Sequence, residues 1–257
     1  MNIILYIAVF IIGTLLGSFF TLAVYRIPLK KDITHERSFC PNCNHRLEFL
    51  DLIPVLSYVF LGGKCRYCKQ KIRPRYLILE ISSGILFLLF YISLKIDIFN
   101  LDIYKLIYFI FGVFFMSNLI IMGGIEKEKH YIPNSLIIFG LAISLIYIIY
   151  LYVLHFSIYK YVIYFILMLA LVIINSIILK KNQKQNYMVQ ILAILIFLLI
   201  VTKEKIVILG MAITLILCVL TKLVKQNKES KQVPIGFYLC ITNITILILT
   251  NFIANYL

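Results

Sequence analysis

Four cysteines in two short pairs are the first residues in this chain whose type and spacing imply chemistry. Cys40-Pro41-Asn42-Cys43 and Cys65-Arg66-Tyr67-Cys68 form a CxxC–x21–CxxC pattern. Each CxxC turn can present two thiolates to one cation, and four thiolates suit the tetrahedral preference of Zn²⁺ in a closed, structural shell. A loop with little core of its own would draw much of its folding free energy from such a metal. Two disulfides are the alternative, and a redox CxxC is another. A reducing cytoplasmic location disfavours the first, and a redox role would not need two copies. Cys218 and Cys240 lie in apolar runs and read as small buried hydrophobes.

The elements that must hold this loop are membrane spans. The chain has 257 residues, 62% hydrophobic and only 14% charged, with a mean hydropathy of +0.99. Soluble domains carry about 25% charged residues, so a soluble globular enzyme is excluded and the bilayer is the solvent. Apolar runs place eight spans at Asn2–Tyr25, Tyr76–Lys95, Ile103–Ile125, Tyr131–Val153, Tyr161–Leu179, Met188–Thr202, Ile206–Val224 and Pro234–Leu257. The sixth is short. The first lacks a basic start and a small-residue cleavage pattern, and it reads as a retained span. The domain reading is therefore a first span over 1–25, a polar loop over 26–75 and a seven-span membrane domain over 76–257. No internal repeat stands out.

Residues 26–75 carry eleven Lys or Arg and four Asp or Glu. That excess fixes the loop in the cytoplasm. By alternation, residues 126–130, 180–187 and 225–233 are cytoplasmic too, with lysines at 180, 181, 184, 225, 228 and 231. The net charge of +14 is read as this orientation signal and not as a nucleic-acid footprint. The segment from Asp51 to Tyr58, between the cysteine pairs, is too short to span and suits an interfacial helix or a lip against the bilayer.

At this point the chain resembles the type IV prepilin peptidase family, the leader peptidase/N-methyltransferases. The likeness is carried by Gly17-Ser18-Phe19, by Tyr25-Arg26-Ile27-Pro28 and by the cysteine pairs. It continues in Asp51-Leu52-Ile53-Pro54, Leu56-Ser57-Tyr58, Gly63-Lys64, Ile72, Arg75-Tyr76, Glu80 and Pro234-Ile235-Gly236. The resemblance implies an all-α, polytopic protein of about eight spans in the bacterial cytoplasmic membrane. It also implies an intramembrane aspartyl protease of the GxGD type, which cuts the leader from type IV prepilins and pseudopilins. Methylation of the new N-terminus with S-adenosylmethionine follows in that family. The implied partners are prepilin N-terminal segments and membrane lipid, with structural Zn²⁺ in the loop.

The catalytic positions depart from the family's pattern. Ile132-Pro133-Asn134 sets the register, so Glu126 stands at the first aspartate and Asn134 replaces an acid. Val189-Gln190-Ile191 places Met188 at the second aspartate, with Gln185 and Tyr187 at the glycines of GxGD. Aspartyl hydrolysis needs two carboxyl groups sharing a proton, one ionised and one protonated. The chain has eleven acids. Asp97, Asp102 and Glu204 are expected on the far face, Glu128 points away from Glu126 by helical spacing, and Glu229 lies in a basic loop. Glu80 is the remaining candidate partner, and a supporting role suits it better, for the family keeps a glutamate there beside both aspartates. Glu126 itself is read either as a lone base or, preferably, as a solvated charge at a helix end. His130 is a tempting base in the same segment. The expectation is a family member impaired or inactive in leader cleavage, a pseudoenzyme; the alternatives are a working peptidase/N-methyltransferase or a zinc-loop scaffold.

Overall fold

The structure, a computed structural model, describes residues 2–35, 37–97, 102–182, 186–224 and 233–256. The expected Glu36, Lys184, Gln185 and Glu229 lie outside these residues, as do the lysines at 225, 228 and 231.

The described residues are helical apart from loops and two isolated antiparallel bridges. The helices are α1 (Asn2–Arg26), α2 (Leu56–Phe60), α3 (Arg75–Ser93), α4 (Ile103–Lys129), α5 (Asn134–Val153), α6 (Tyr159–Asn182), α7 (Tyr187–Val201), α8 (Glu204–Val224) and α9 (Ile235–Tyr256). Seven are long and apolar enough to cross a bilayer. The eighth expected span, α7, has 15 residues. At 1.5 Å per residue it covers about 22 Å, short of the roughly 30 Å hydrocarbon core. Its Ala193, Ile194, Phe197, Leu198, Ile200 and Val201 are buried, so it works as a core helix among the longer ones.

Helix ends follow local chemistry. Asp102 caps α4 by accepting from the N–H groups of Tyr104 and Lys105 at 2.9 and 3.4 Å. The same helix runs past the expected end at Ile125 through Glu126-Lys127-Glu128-Lys129. It stops at His130, whose left-handed backbone (φ +55°) donates its N–H to the Glu126 carbonyl at 2.8 Å. The tempting base is thus the residue that terminates α4. Pro133 delays α5 to Asn134.

Two compact units result, Met1–Ile96 and Asp97–Leu257. In the first, α1 lies against α3 at glycines. A Cβ on Gly13 would stand 2.7 Å from the Gly84 Cα, and one on Gly17 2.8 Å from the Glu80 Cα. The Gly13-xxx-Gly17 spacing allows this backbone approach, in the manner of small-residue packing between membrane helices. Phe20 meets Phe87 edge to face at 6.2 Å. In the second unit, α4 packs on α5 and α9, α6 on α5 and α7, and α8 on α9. Phe115 and Phe197 meet at 5.1 Å in its core.

Candidate functional site

The two cysteine pairs fold into near-identical knuckles offset by 25 residues. Phe39 bridges Arg46 in the first, and Lys64 bridges Lys71 in the second. The Cys40 N–H donates to the His45 carbonyl at 3.0 Å, and the Cys65 N–H to the Gln70 carbonyl at 2.8 Å. Asn44 and Lys69, the residues after each pair, are both left-handed, at φ +55° and +59°. The sequence shows no repeat here because little beyond the cysteines is shared. Backbone geometry repeats where side chains do not.

All four sulfurs lie within 4.8 Å of one another, and Cys40 and Cys68 Sγ are 3.9 Å apart. A tetrahedral site with metal–sulfur bonds of about 2.3 Å has sulfurs about 3.8 Å apart. The donor set and its spacing therefore fit a metal ion such as zinc. The Gln70 amide N–H and the Asn42 side-chain amide donate to Cys68 and pull its thiol down to about 6. The His45 amide favours the Cys43 thiolate, but desolvation and the neighbouring thiols Cys40 and Cys68 outweigh it and push Cys43 up to about 11. A cation would bring all four to thiolate.

The loop is tied together by the residues that carry the family resemblance. Arg26 is buried and donates to the carbonyls of Asp32 (2.9 Å) and Arg37 (3.1 Å), folding the first part of the loop over the end of α1. Asp51, its side chain 4% exposed, pairs with Arg66 Nε at 2.7 Å and accepts from the Tyr67 hydroxyl at 3.1 Å. Both partners lie between Cys65 and Cys68, so Asp51 clamps the second knuckle to the segment before α2. His45 stacks on Tyr67 at 3.6 Å and links the knuckles.

Glu80, the candidate acid in α3, accepts the Val55 N–H at 2.8 Å and a hydrogen bond from the Ser18 hydroxyl. Val55 sits at φ +63°, ψ −54°, and the next N–H, of Leu56, turns back to the Pro54 carbonyl at 2.6 Å. This is a γ-turn of the rare, strained hand. Glu80 thus joins α1, α3 and the cytoplasmic loop in one cluster.

Glu126 is not a solvated helix-end charge: it is fully buried. Residues at the starts of α7 and α9 lie against it, while Glu128, two residues on, is exposed. Its Oε1 accepts from the Tyr187 hydroxyl at the start of α7. Its Oε2 accepts the Phe237 N–H at 2.8 Å, and the Gly236 N–H also contributes. These amides open α9, so the carboxylate sits at a helix N-terminus, where N–H groups and the helix dipole favour negative charge. Gly236 allows the approach: a Cβ there would stand 3.4 Å from the Glu126 carboxyl carbon and 3.2 Å from Ile191.

Met188, which the sequence reading expects at the second aspartate, is 68% exposed. The neighbour that reaches Glu126 is Tyr187, which the sequence places at a glycine of GxGD. The sequence singles out Tyr187 only through that register and does not pair it with Glu126. Asn134 meets Asn175 and, at 3.3 Å, Ser176 on α6, so it belongs to a small polar network between α5 and α6. Gln190 is buried and accepts the Ile132 N–H at 3.0 Å, which fixes the α4–α5 connection to α7.

Residues 11–94 match the family model described as the Bacterial Peptidase A24 N-terminal domain. The prepilin leader peptidase/N-methyltransferase of Vibrio cholerae serotype O1 is 36% identical over 121 residues, covering 43% of this chain and 48% of that protein. That of Bacillus subtilis is 37% identical over 132 residues (51% and 50%), and that of Klebsiella pneumoniae 31% over 133 residues (49% and 54%). The chain spans about half the length of these curated relatives. No solved structure matches it. Through this N-terminal part, with its cysteine loop and the two helices that frame it, the chain is similar to the type IV prepilin peptidase family.

Proposed function

We propose that this polytopic membrane protein handles the N-terminal segments of type IV prepilins or pseudopilins without cutting them by a two-carboxylate mechanism. The observation that carries this reading is the set of partners around Glu126. An aspartyl pair works because one carboxyl oxygen shares a proton with a second carboxyl group across a water. At Glu126 one oxygen takes a phenol and the other takes backbone N–H groups. Those donors hold the carboxylate in place and leave no partner acid on it within its own unit, among the described residues. Its side chain is also one methylene longer than aspartate, and a displacement of about 1 Å can cost on the order of 10²-fold in rate.

In this reading the loop lies in the cytoplasm, at the face where a basic leader would arrive, and Cys40, Cys43, Cys65 and Cys68 hold a structural Zn²⁺. The ion would supply folding free energy and no reaction step. The family match covers residues 11–94, whereas the altered acid positions, Glu126 and Met188, lie beyond it. No residue is assigned to S-adenosylmethionine, which enters only through the name of the relatives.

Coexpression with a prepilin, read by intact mass, tests the proposal. The leader should stay on with the parent chain and with Glu126→Gln alike, and N-terminal methylation should be absent from uncut prepilin. Leader removal by the parent that Glu126→Gln abolishes would overturn the reading and establish a working peptidase.

A further inference from the structure

The cytoplasmic loop carries an apolar face that nothing within it covers. On α2, Leu56, Val59 and Phe60 are 52%, 62% and 84% exposed. Their i, i+3, i+4 spacing puts them on one side of the helix. The turn Phe49–Asp51 lies beside α2 and adds Phe49 and Leu50, 80% and 57% exposed. The opposite side of α2 is closed: the Tyr58 hydroxyl donates to the Ile72 carbonyl at 3.4 Å and sits over Gly63.

Two observations say what covers this face. The first is depth. The Val55 N–H that opens α2 is bonded to Glu80, five residues into the spanning helix α3. At 1.5 Å per residue that is about 7.5 Å beyond Arg75 along the helix. Interfacial helices bury their apolar face about 5–10 Å into the headgroup and acyl boundary, the same level. The second is charge. The loop that carries the patch, residues 26–75, holds eleven Lys or Arg against four Asp or Glu, which suits an anionic membrane surface. We propose that Phe49, Leu50, Leu56, Val59 and Phe60 form a monotopic membrane contact. This contact seats the metal-binding loop on the anionic face of the bilayer and spares it from floating above it. The Glu80–Val55 bond is its hinge pin: it holds a strained turn that aims the face downward.

The chain contains no tryptophan, so Phe60→Trp introduces a single fluorophore into the full-length protein. Val59→Trp serves as a second probe of the same face. His35→Trp is the control, since that side chain is 87% exposed and precedes the first cysteine pair, outside the patch residues. Each is placed in phosphatidylcholine–phosphatidylglycerol nanodiscs, with and without brominated acyl chains. For both patch variants the expected result is blue-shifted emission, protection from acrylamide and about a twofold loss of emission with brominated lipid. The control should respond to acrylamide alone. Absence of bromolipid quenching in both patch variants overturns the proposal, whatever else protects them. Acrylamide protection that appears only after a prepilin segment is added would assign the face to substrate instead. Metal content equal to the parent's in each variant verifies that the loop is folded.

Discussion

Removing the Glu80 carboxylate should release the loop while leaving its two helices paired. Val55 holds a backbone conformation, φ +63° and ψ −54°, that costs a β-branched residue about 1–3 kcal/mol. Its N–H is held by the Glu80 carboxylate at 2.8 Å, and a hydrogen bond to a charged group contributes about 1.5–3 kcal/mol. The two magnitudes nearly cancel, so the turn persists because of the bond. Glu80→Ala removes the acceptor and leaves the N–H to water or to nothing. The opening equilibrium of the turn should shift by about 2–3 kcal/mol, or roughly 30- to 150-fold. Glu80→Gln keeps an acceptor oxygen without its charge, and a loss of about 1 kcal/mol, near fivefold, is expected. Hydrogen–deuterium exchange over residues 52–61 reads this directly. The two variants should fall in the order Ala, Gln, parent, with exchange in α1 and α3 little changed. Unaltered exchange in 52–61 for Glu80→Ala would refute the reasoning. So would acceleration spread evenly over residues 1–96, because it would make Glu80 a general helix-pairing residue and not the pin of one turn.

Further outcomes follow from the same unit. Cys40→Ser and Cys65→Ser should each lose bound metal and loosen residues 37–72, whereas Cys218→Ser should keep the parent's metal; equal metal in all four proteins by elemental analysis would show that the cluster holds none. Gly13→Ala should lower thermal stability more than Gly84→Ala. The first Cβ meets backbone, the Gly84 Cα at 2.7 Å, while the second meets side-chain ends of Thr14 and Phe10 at 2.8 and 2.9 Å, and overpacking against immovable atoms costs about 1–3 kcal/mol. Equal melting temperatures would contradict that distinction.

The arrangement at Glu126 explains how an acid can persist inside a membrane bundle without a carboxyl partner. Isolated charge in such a place is expensive. A phenol, two amides and the dipole of α9 supply the compensation instead, all from residues on α7 and α9.

Composition and periodicity located the helices. Apolar runs can satisfy their backbone groups in a bilayer only as helices, so their number and approximate bounds were legible one residue at a time. The CxxC spacing likewise announced two thiols side by side in each turn, because such turns bring their own sulfurs together, whereas Asp51 and the His45–Tyr67 contact join the two pairs. What the sequence could not decide was which groups meet across long separations. Glu126 read as a solvated end because its neighbours in the chain are Lys127, Glu128 and Lys129; its surroundings come from Tyr187 and Phe237, 61 and 111 residues away. The strained Val55 turn and its Glu80 anchor are hidden for the same reason, since a backbone N–H leaves no mark in an amino-acid string. Local propensity is written in adjacent residues, whereas burial and hydrogen-bond partnership exist only once helices have packed.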